Sequence, residues 1–209
     1  ILSNPNGKSK MTKRGLVILT VITYLIMLFG GAMLKPGYSH FSQYISELNA
    51  TGTTFADTIG WLGFVPFGLS ALALWAVTAK HAPVSGASRL GYWLLLAEPI
   101  AYIGSAFAPC DVGCPGEGSL SQGLHNLLGL CTYLATTFGL FLLSFTPGLK
   151  APERIGWILL AVVWFGLFAL MLDGSLAAQR GILQRSAEWI VYSTLLVVAW
   201  RLPEAGTTR

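Results

Sequence analysis

Six apolar runs, each of roughly membrane length, leave this chain few ways to fold. They cover residues 15–34, 55–79, 90–107, 120–145, 155–172 and 182–200. A hydrocarbon core of about 30 Å takes roughly 20 helical residues to cross. Backbone polar groups in lipid must find partners within the span or around a closed barrel, so only helices and barrel strands qualify. Barrel strands alternate apolar and polar residues over about ten positions. These runs are continuous and about twice that length, which selects helices. The expectation is an all-α, polytopic membrane protein: a single six-transmembrane-helix bundle over residues 11–209. With 54% hydrophobic and 11% charged residues and a mean hydropathy of +0.63, a water-soluble globule is excluded. Residues 1–10 are polar and read as an expression remnant or a disordered extension ahead of Met11. No small-x-small cleavage site follows the first run, so it is read as a retained span rather than a signal peptide.

Lysine and arginine set the orientation, because they accumulate in cytoplasmic segments. One set of segments carries Lys8, Lys10, Lys13, Arg14, Lys80, Arg89, Lys150, Arg154, Arg201 and Arg209, whereas the other carries Lys35, Arg180 and Arg185. Ten cations against three place both termini in the cytoplasm of a bacterial inner membrane. The loop with Cys110 and Cys114 then faces the periplasm or exterior. The net charge of +4 is thus spread over short cytoplasmic segments and forms no basic stripe for nucleic acid. There is no P-loop, no dinucleotide-binding glycine pattern and no visible internal repeat. Glu47, Asp57, Asp111, Glu117, Asp173 and Glu188, with His40 and His125, gather toward the outer side. The chemistry is therefore expected there.

Gly60, Gly63 and Gly68 give the second run a small-residue face, on which a helix can approach closely. A membrane-protein partner is one occupant of that face. Pro66 is placed to kink the same run.

Cys110 and Cys114 lie in an exported loop, where disulfides persist. Gly113 between them lets the chain double back, so a small disulfide loop is feasible. A zinc site with His125 and a thiol redox pair are the alternatives; the first lacks a clear fourth ligand and the second wants two intervening residues rather than three. Cys131, within the fourth run, reads as a small buried hydrophobe. Glu98 falls near the bilayer midplane, where an acid costs about 2.5–3.5 kcal/mol on insertion scales. Thr132, Tyr133 and Thr136 of the fourth run reach similar depth and offer it a hydrogen bond; proton handling or ligand binding is the functional reading. Arg180, Gln184 and Glu188 recur at helical spacing on one face. Arg185 is placed either to pair with Glu188 or, like Arg180, to hold an anionic headgroup. Residues 38–49 have helical periodicity, with Phe41, Ile45 and Leu48 on one face and Ser42, Ser46 and Asn49 on another, as in a helix lying in the outer interface. Asn49-Ala50-Thr51 matches a glycosylation triplet.

The six runs, the Ile45-Ser46-Glu47-Leu48 stretch and the Pro109-Cys110-Asp111…His125 pattern resemble the bacterial and archaeal membrane family called domain of unknown function 998. That resemblance covers most of the chain from Met11 onward and implies topology rather than an activity. The stretch Ser42-x-Tyr44-Ile45-Ser46-Glu47-x-Asn49, with Gly104-Ser105-Ala106-Phe107, is more weakly similar to the alkaline ceramidase and adiponectin-receptor hydrolases. The zinc histidines of that superfamily are missing from the matching positions.

These readings converge on an outward-facing polar pocket for a lipid or another amphiphile. Glu47, Glu98, Asp111, His125 and Glu188 line it, and Ser46 and Asn49 sit on the covering segment. Arg180 and Arg185 stand by for an anionic head. The enzymatic alternative is an outer-leaflet lipid hydrolase or transferase with His125 as general base, oriented by Asp111 or Glu188, and with Glu98 as a further candidate. The third is a non-catalytic subunit of a larger membrane complex. No cofactor or metal is expected, and membrane lipids are the expected partners.

Overall fold

The computed structural model describes residues 12–202; the extension expected over residues 1–10 lies outside them. Every regular element among the described residues is helical. We label the long helices α1 (Lys13–Leu34), α2 (Ala56–Thr78), α3 (Gly86–Phe107), α4 (Leu120–Leu143) and α5 (Ala151–Met171), each long and apolar enough to cross a membrane. The sixth, α6 (Arg180–Arg201), has 22 residues. Its charges at Arg180, Arg185, Glu188 and Arg201 leave it less apolar than the other five.

Sequential helices pack side by side, and α6 returns to α1, so the bundle closes on itself. The connections over 79–85, 144–150 and 172–179 are short enough for antiparallel neighbours to turn, whereas those over 35–55 and 108–119 are longer and carry the 38–49 segment and the disulfide loop. Close approaches are made where side chains vanish. A Cβ on Gly91 of α3 would lie 2.6 Å from the Gly139 carbonyl oxygen of α4, and one on Gly68 of α2 would lie 2.7 Å from the Pro99 carbonyl of α3. Gly63 faces Met27 of α1, and Gly60 faces Asn49 and Ala106. The glycine face of α2 thus packs against the chain's own residues on α1, α3 and the 38–49 segment.

Pro66 and Pro99, in the interiors of two apolar runs, are accommodated differently. Ahead of Pro66 the helix widens into a π turn over Gly60–Phe64, which relieves the clash of the ring with the preceding turn. Helix α3 breaks at Leu95–Leu96 and restarts at Ala97. Pro99 falls in the first turn of the restarted segment, where a backbone N–H would have no intrahelical acceptor. Helix α3 also begins earlier than its apolar run, at Gly86. The Ser85 and Ser88 side chains cap that start reciprocally.

Residues 38–49 depart most from expectation. Only Ile45–Asn49 is helical, as a 3-10 turn, and Ile45, Glu47, Leu48 and Asn49 are all buried. The segment plugs the end of the bundle instead of lying flat upon it. Cys131 departs too: it is exposed on the outer surface of α4.

Candidate functional site

The plug is held by the first two turns of α6. The Arg185 guanidinium, 1% exposed, donates to the Gln43 carbonyl at 2.8 Å, to the Gly181 carbonyl at 2.9 Å, to His40 Nδ1 at 3.2 Å and to the Tyr38 hydroxyl. Gln184 Oε1 accepts from the Ile45 N–H at 2.7 Å, and the Ile182 N–H donates to the Phe41 carbonyl at 2.9 Å. Arg180 pairs with Glu47 at 3.0 Å, whose other oxygen accepts from Gln43. The expected Arg185–Glu188 ion pair is therefore not made. Arg185 spends its donors on the chain's own carbonyls and rings, so it is a clamp with no free fork for a headgroup. Burial pushes the Tyr38 phenol up to about 12, against the pull of Arg185. The His40 imidazole is held below its ordinary value by burial and then by the Arg185 charge.

Beneath the plug lies a cavity of about 70 Å³ lined by Glu98, Ser105, His125, Thr132, Gln184 and Glu188, with Ser46 at its rim and apolar residues between. Glu98 and Glu188 are 5% and 4% exposed. An unpaired buried carboxylate is strongly disfavoured, so each should be found with donors, and each is. Thr136 donates to Glu98 Oε1 at 3.1 Å, as depth counting along α4 anticipates. Tyr102 donates to Glu188 Oε2, and the Tyr24 hydroxyl reaches the same oxygen at 3.4 Å. No basic side chain hydrogen-bonds either carboxyl among the described residues. The Tyr192 hydroxyl, stacked beside Tyr24, is buried without a partner.

A larger vestibule of about 550 Å³ adjoins this cavity and shares Ser46, His125, Gly129, Tyr133 and Gln184 with it. Its outer walls are apolar at Leu130, Phe168 and Leu172 and polar at Asn126, Asp173 and Arg180. His125 therefore stands between the two spaces. Its Nδ1 lies 3.0 Å from the Ala108 carbonyl. Donation there leaves Nε2 as the acceptor nitrogen.

Asp111 does not orient this imidazole. Its carboxylate accepts from the Ser119 N–H and hydroxyl, both at 2.8 Å, and those bonds lower its pKa. Asn49 lies off the cavity. Its amide donates to the Ser105 carbonyl at 2.6 Å, and its burial leaves no room for a glycan. Glu47 belongs to the Arg180 pair.

Cys110 and Cys114 form a disulfide, with Cα atoms 5.1 Å apart. Gly113 makes the doubling back with φ of +82°. The loop is pinned onto α4 by Gln122, whose Oε1 accepts from the Asp111 N–H at 2.7 Å, and by Asn126, whose amide donates to the Gly116 carbonyl at 2.9 Å. Donor atoms of Cys110, Cys114 and His125 lie within 4.8 Å of one another, but the disulfide ties up both sulfurs and leaves the imidazole as the one conventional ligand. Sequence reasoning did not single out Tyr24, Tyr102 or Gln122, and it reached Ser105 only through the weaker ceramidase-like resemblance. Gln122, completely buried in the first turn of α4 just after the cysteine-rich loop, could have been flagged as a loop anchor.

No curated protein and no solved structure matches the chain. The family model described as protein of unknown function (DUF998) matches residues 17–201. That match spans most of the chain and reaches into every helix described above, so this membrane protein belongs to the DUF998 family.

Proposed function

We propose that the protein crosses a bacterial inner membrane six times, with both termini in the cytoplasm, and binds a lipid or another amphiphile from the outer side. The polar head enters the space among Glu98, His125 and Glu188, and the apolar part rests against Leu130, Phe168 and Leu172. The observation that carries this reading is the shared wall: Ser46, His125, Gly129, Tyr133 and Gln184 face both the apolar-walled vestibule and the carboxyl-lined cavity. A lone polar cavity would suit water, and a lone apolar vestibule would suit a passive acyl chain. The two in series suit a molecule with two ends. The carboxyls lack a cationic partner, which favours a head that donates hydrogen bonds. The disulfide supports the outward orientation, since such bonds persist in oxidising compartments. Helix α6, about 33 Å long at 1.5 Å per residue, is long enough for the sixth crossing.

The test is co-purification. Wild type, Glu98→Gln and His125→Ala are extracted in the same mild detergent, and retained amphiphiles are quantified by mass spectrometry. We expect one class of molecule to be depleted about fivefold or more in both variants, as loss of a charge-assisted contact implies. Unchanged retention in both would exclude the reading.

His125 also supports a second reading, an outer-leaflet lipid hydrolase or transferase. Its tautomer is set by the Ala108 carbonyl, leaving Nε2 to act as general base, and Ser46 lines the same two spaces. Turnover of lipid esters or amides that vanishes in Ser46→Ala and His125→Ala would select it over simple binding.

A further inference from the structure

The opposite end of the bundle carries a different space. A groove of about 700 Å³ opens among α2, α3, α4, α5 and α6, within the roughly 300–1,000 Å³ of small-molecule sites. On α5 its wall runs from Glu153 to Val163, and on α6 from Leu202 to Ile190. At 1.5 Å per residue these walls are about 15 and 18 Å deep. Half of a 30 Å hydrocarbon core is about 15 Å. The groove is thus one leaflet deep and almost wholly apolar, with Leu160, Val163 and Leu195 on its walls.

Most of its polar side chains sit near the mouth, with Thr194 deeper on α6. The Tyr92 hydroxyl donates to the Trp75 carbonyl at 2.6 Å and shares a hydrogen bond with Thr78 at 2.7 Å. Trp75 Nε1, on a side chain 5% exposed, is buried without any partner. It lies one helical turn inside the end of α2, about 4–5 Å below the helix terminus. That is the level of a glycerolipid's ester carbonyls rather than of its phosphate. Beyond the mouth, Lys150, Arg154 and Arg201 adjoin lining residues Leu149, Glu153 and Leu202 in sequence, and Lys80 stands two positions before Ala82, so this end carries four cations against the one lining acid, Glu153.

We propose that this groove is a second lipid site, selective for an anionic glycerophospholipid. An acyl chain fills the leaflet-deep slot, an ester carbonyl accepts from Trp75 Nε1, and the phosphate meets the basic rim. The site is separate from the vestibule by position and by chemistry, since one end presents carboxyls and the other cations.

Delipidated full-length protein is titrated with phosphatidylglycerol and with phosphatidylcholine of the same chains, and adducts are counted by native mass spectrometry. Phosphatidylglycerol is expected to bind about fivefold better. Leu160→Trp, which fills the slot, should weaken it about tenfold, and the milder Trp75→Phe about fivefold. Lys150→Gln with Arg154→Gln should erase the preference for charge while leaving phosphatidylcholine binding intact. Leu160→Trp should leave unchanged the amphiphile that wild type retains through Glu98 and His125, which separates this site from the vestibule. Equal retention of both lipids that ignores Leu160→Trp and Trp75→Phe identifies ordinary annular lipid and overturns the proposal. So does phosphatidylglycerol binding that emerges only after residues 203–209 are removed, since the chain's own end is then the occupant.

Discussion

At the scale of single residues, the plug over the cavity depends on one buried cation. Arg185 contributes four hydrogen bonds from inside the protein, and its planar fork cannot be copied by a lysine. Arg185→Met keeps much of the volume but strands the Gln43 carbonyl and leaves His40 Nδ1 without its donor. We expect a loss of about 3 kcal/mol, seen as a lowered thermal midpoint in detergent, with Arg185→Lys between the two. A loss below about 1 kcal/mol in the methionine variant would refute the clamp. His40 adds a pH dependence. Its Nδ1 accepts from Arg185, so the imidazole must be neutral there, and both burial and the adjacent charge depress its pKa. A depressed value means the unfolded chain takes up the proton first. Stability is then complete above the unfolded value near 6.5 and falls as pH drops through it toward the folded value. Wild type should lose thermal stability between pH 7.5 and 5.5, and His40→Gln, which still offers Arg185 an acceptor, should lose measurably less over the same window.

At the scale of elements, glycine decides how closely the helices approach. Gly91→Ala would place its methyl 2.6 Å from the Gly139 carbonyl, a backbone atom with no rotamer to move aside. It should cost about 1–3 kcal/mol by forcing α3 from α4. Gly166→Ala on α5 has open space around it and should gain up to about 1 kcal/mol from helix propensity alone. Parallel thermal scans of the two variants check the pair, and a Gly91→Ala protein as stable as Gly166→Ala would contradict the packing. The helices themselves were legible in sequence, because a continuous apolar run has one structure available in lipid. Depth was legible too, which is how Thr136 could be proposed as a partner for Glu98. Rotation about a helix axis was not. Counting residues from a membrane surface places Glu188 at its level but does not say that Tyr24 and Tyr102 face it. The 38–49 segment was misread for a related reason. Its periodicity marks an apolar side, yet whether that side rests on lipid or sinks into protein is decided by Arg180, Gln184 and Arg185, about 140 positions away. Asp111 likewise had an imidazole within plausible reach in sequence, but the nearer Ser119 donors took its oxygens.

At the scale of the whole molecule, the open question is how many times the chain crosses, and α6 decides it. Five crossings would put the termini on opposite sides; six return them to the same side. Helix α6 is the least apolar of the long helices, but its charges are not presented to lipid. Arg185 and Glu188 are buried within the bundle and hydrogen-bonded there, which removes most of the cost that a hydropathy scale assigns to them. Arg180 and Arg201 mark its two ends, 21 residues and about 31 Å apart, and end charges can reach the interfaces. The rest of its length packs along α5 and α1. Were α6 to lie along the surface, it would pull Gln184 and Arg185 off the plug and open the cavity to water. The proposed sixth crossing is therefore coupled to the integrity of the site. A reporter that fluoresces only in the cytoplasm should be bright when fused after residue 202 and equally bright before residue 12. In a Cys131→Ala background, Glu117→Cys, in the disulfide loop, should react with an impermeant maleimide from outside. Darkness at the C-terminal fusion with a bright N-terminal one would mean five crossings, and the outward vestibule and its clamp would both have to be given up.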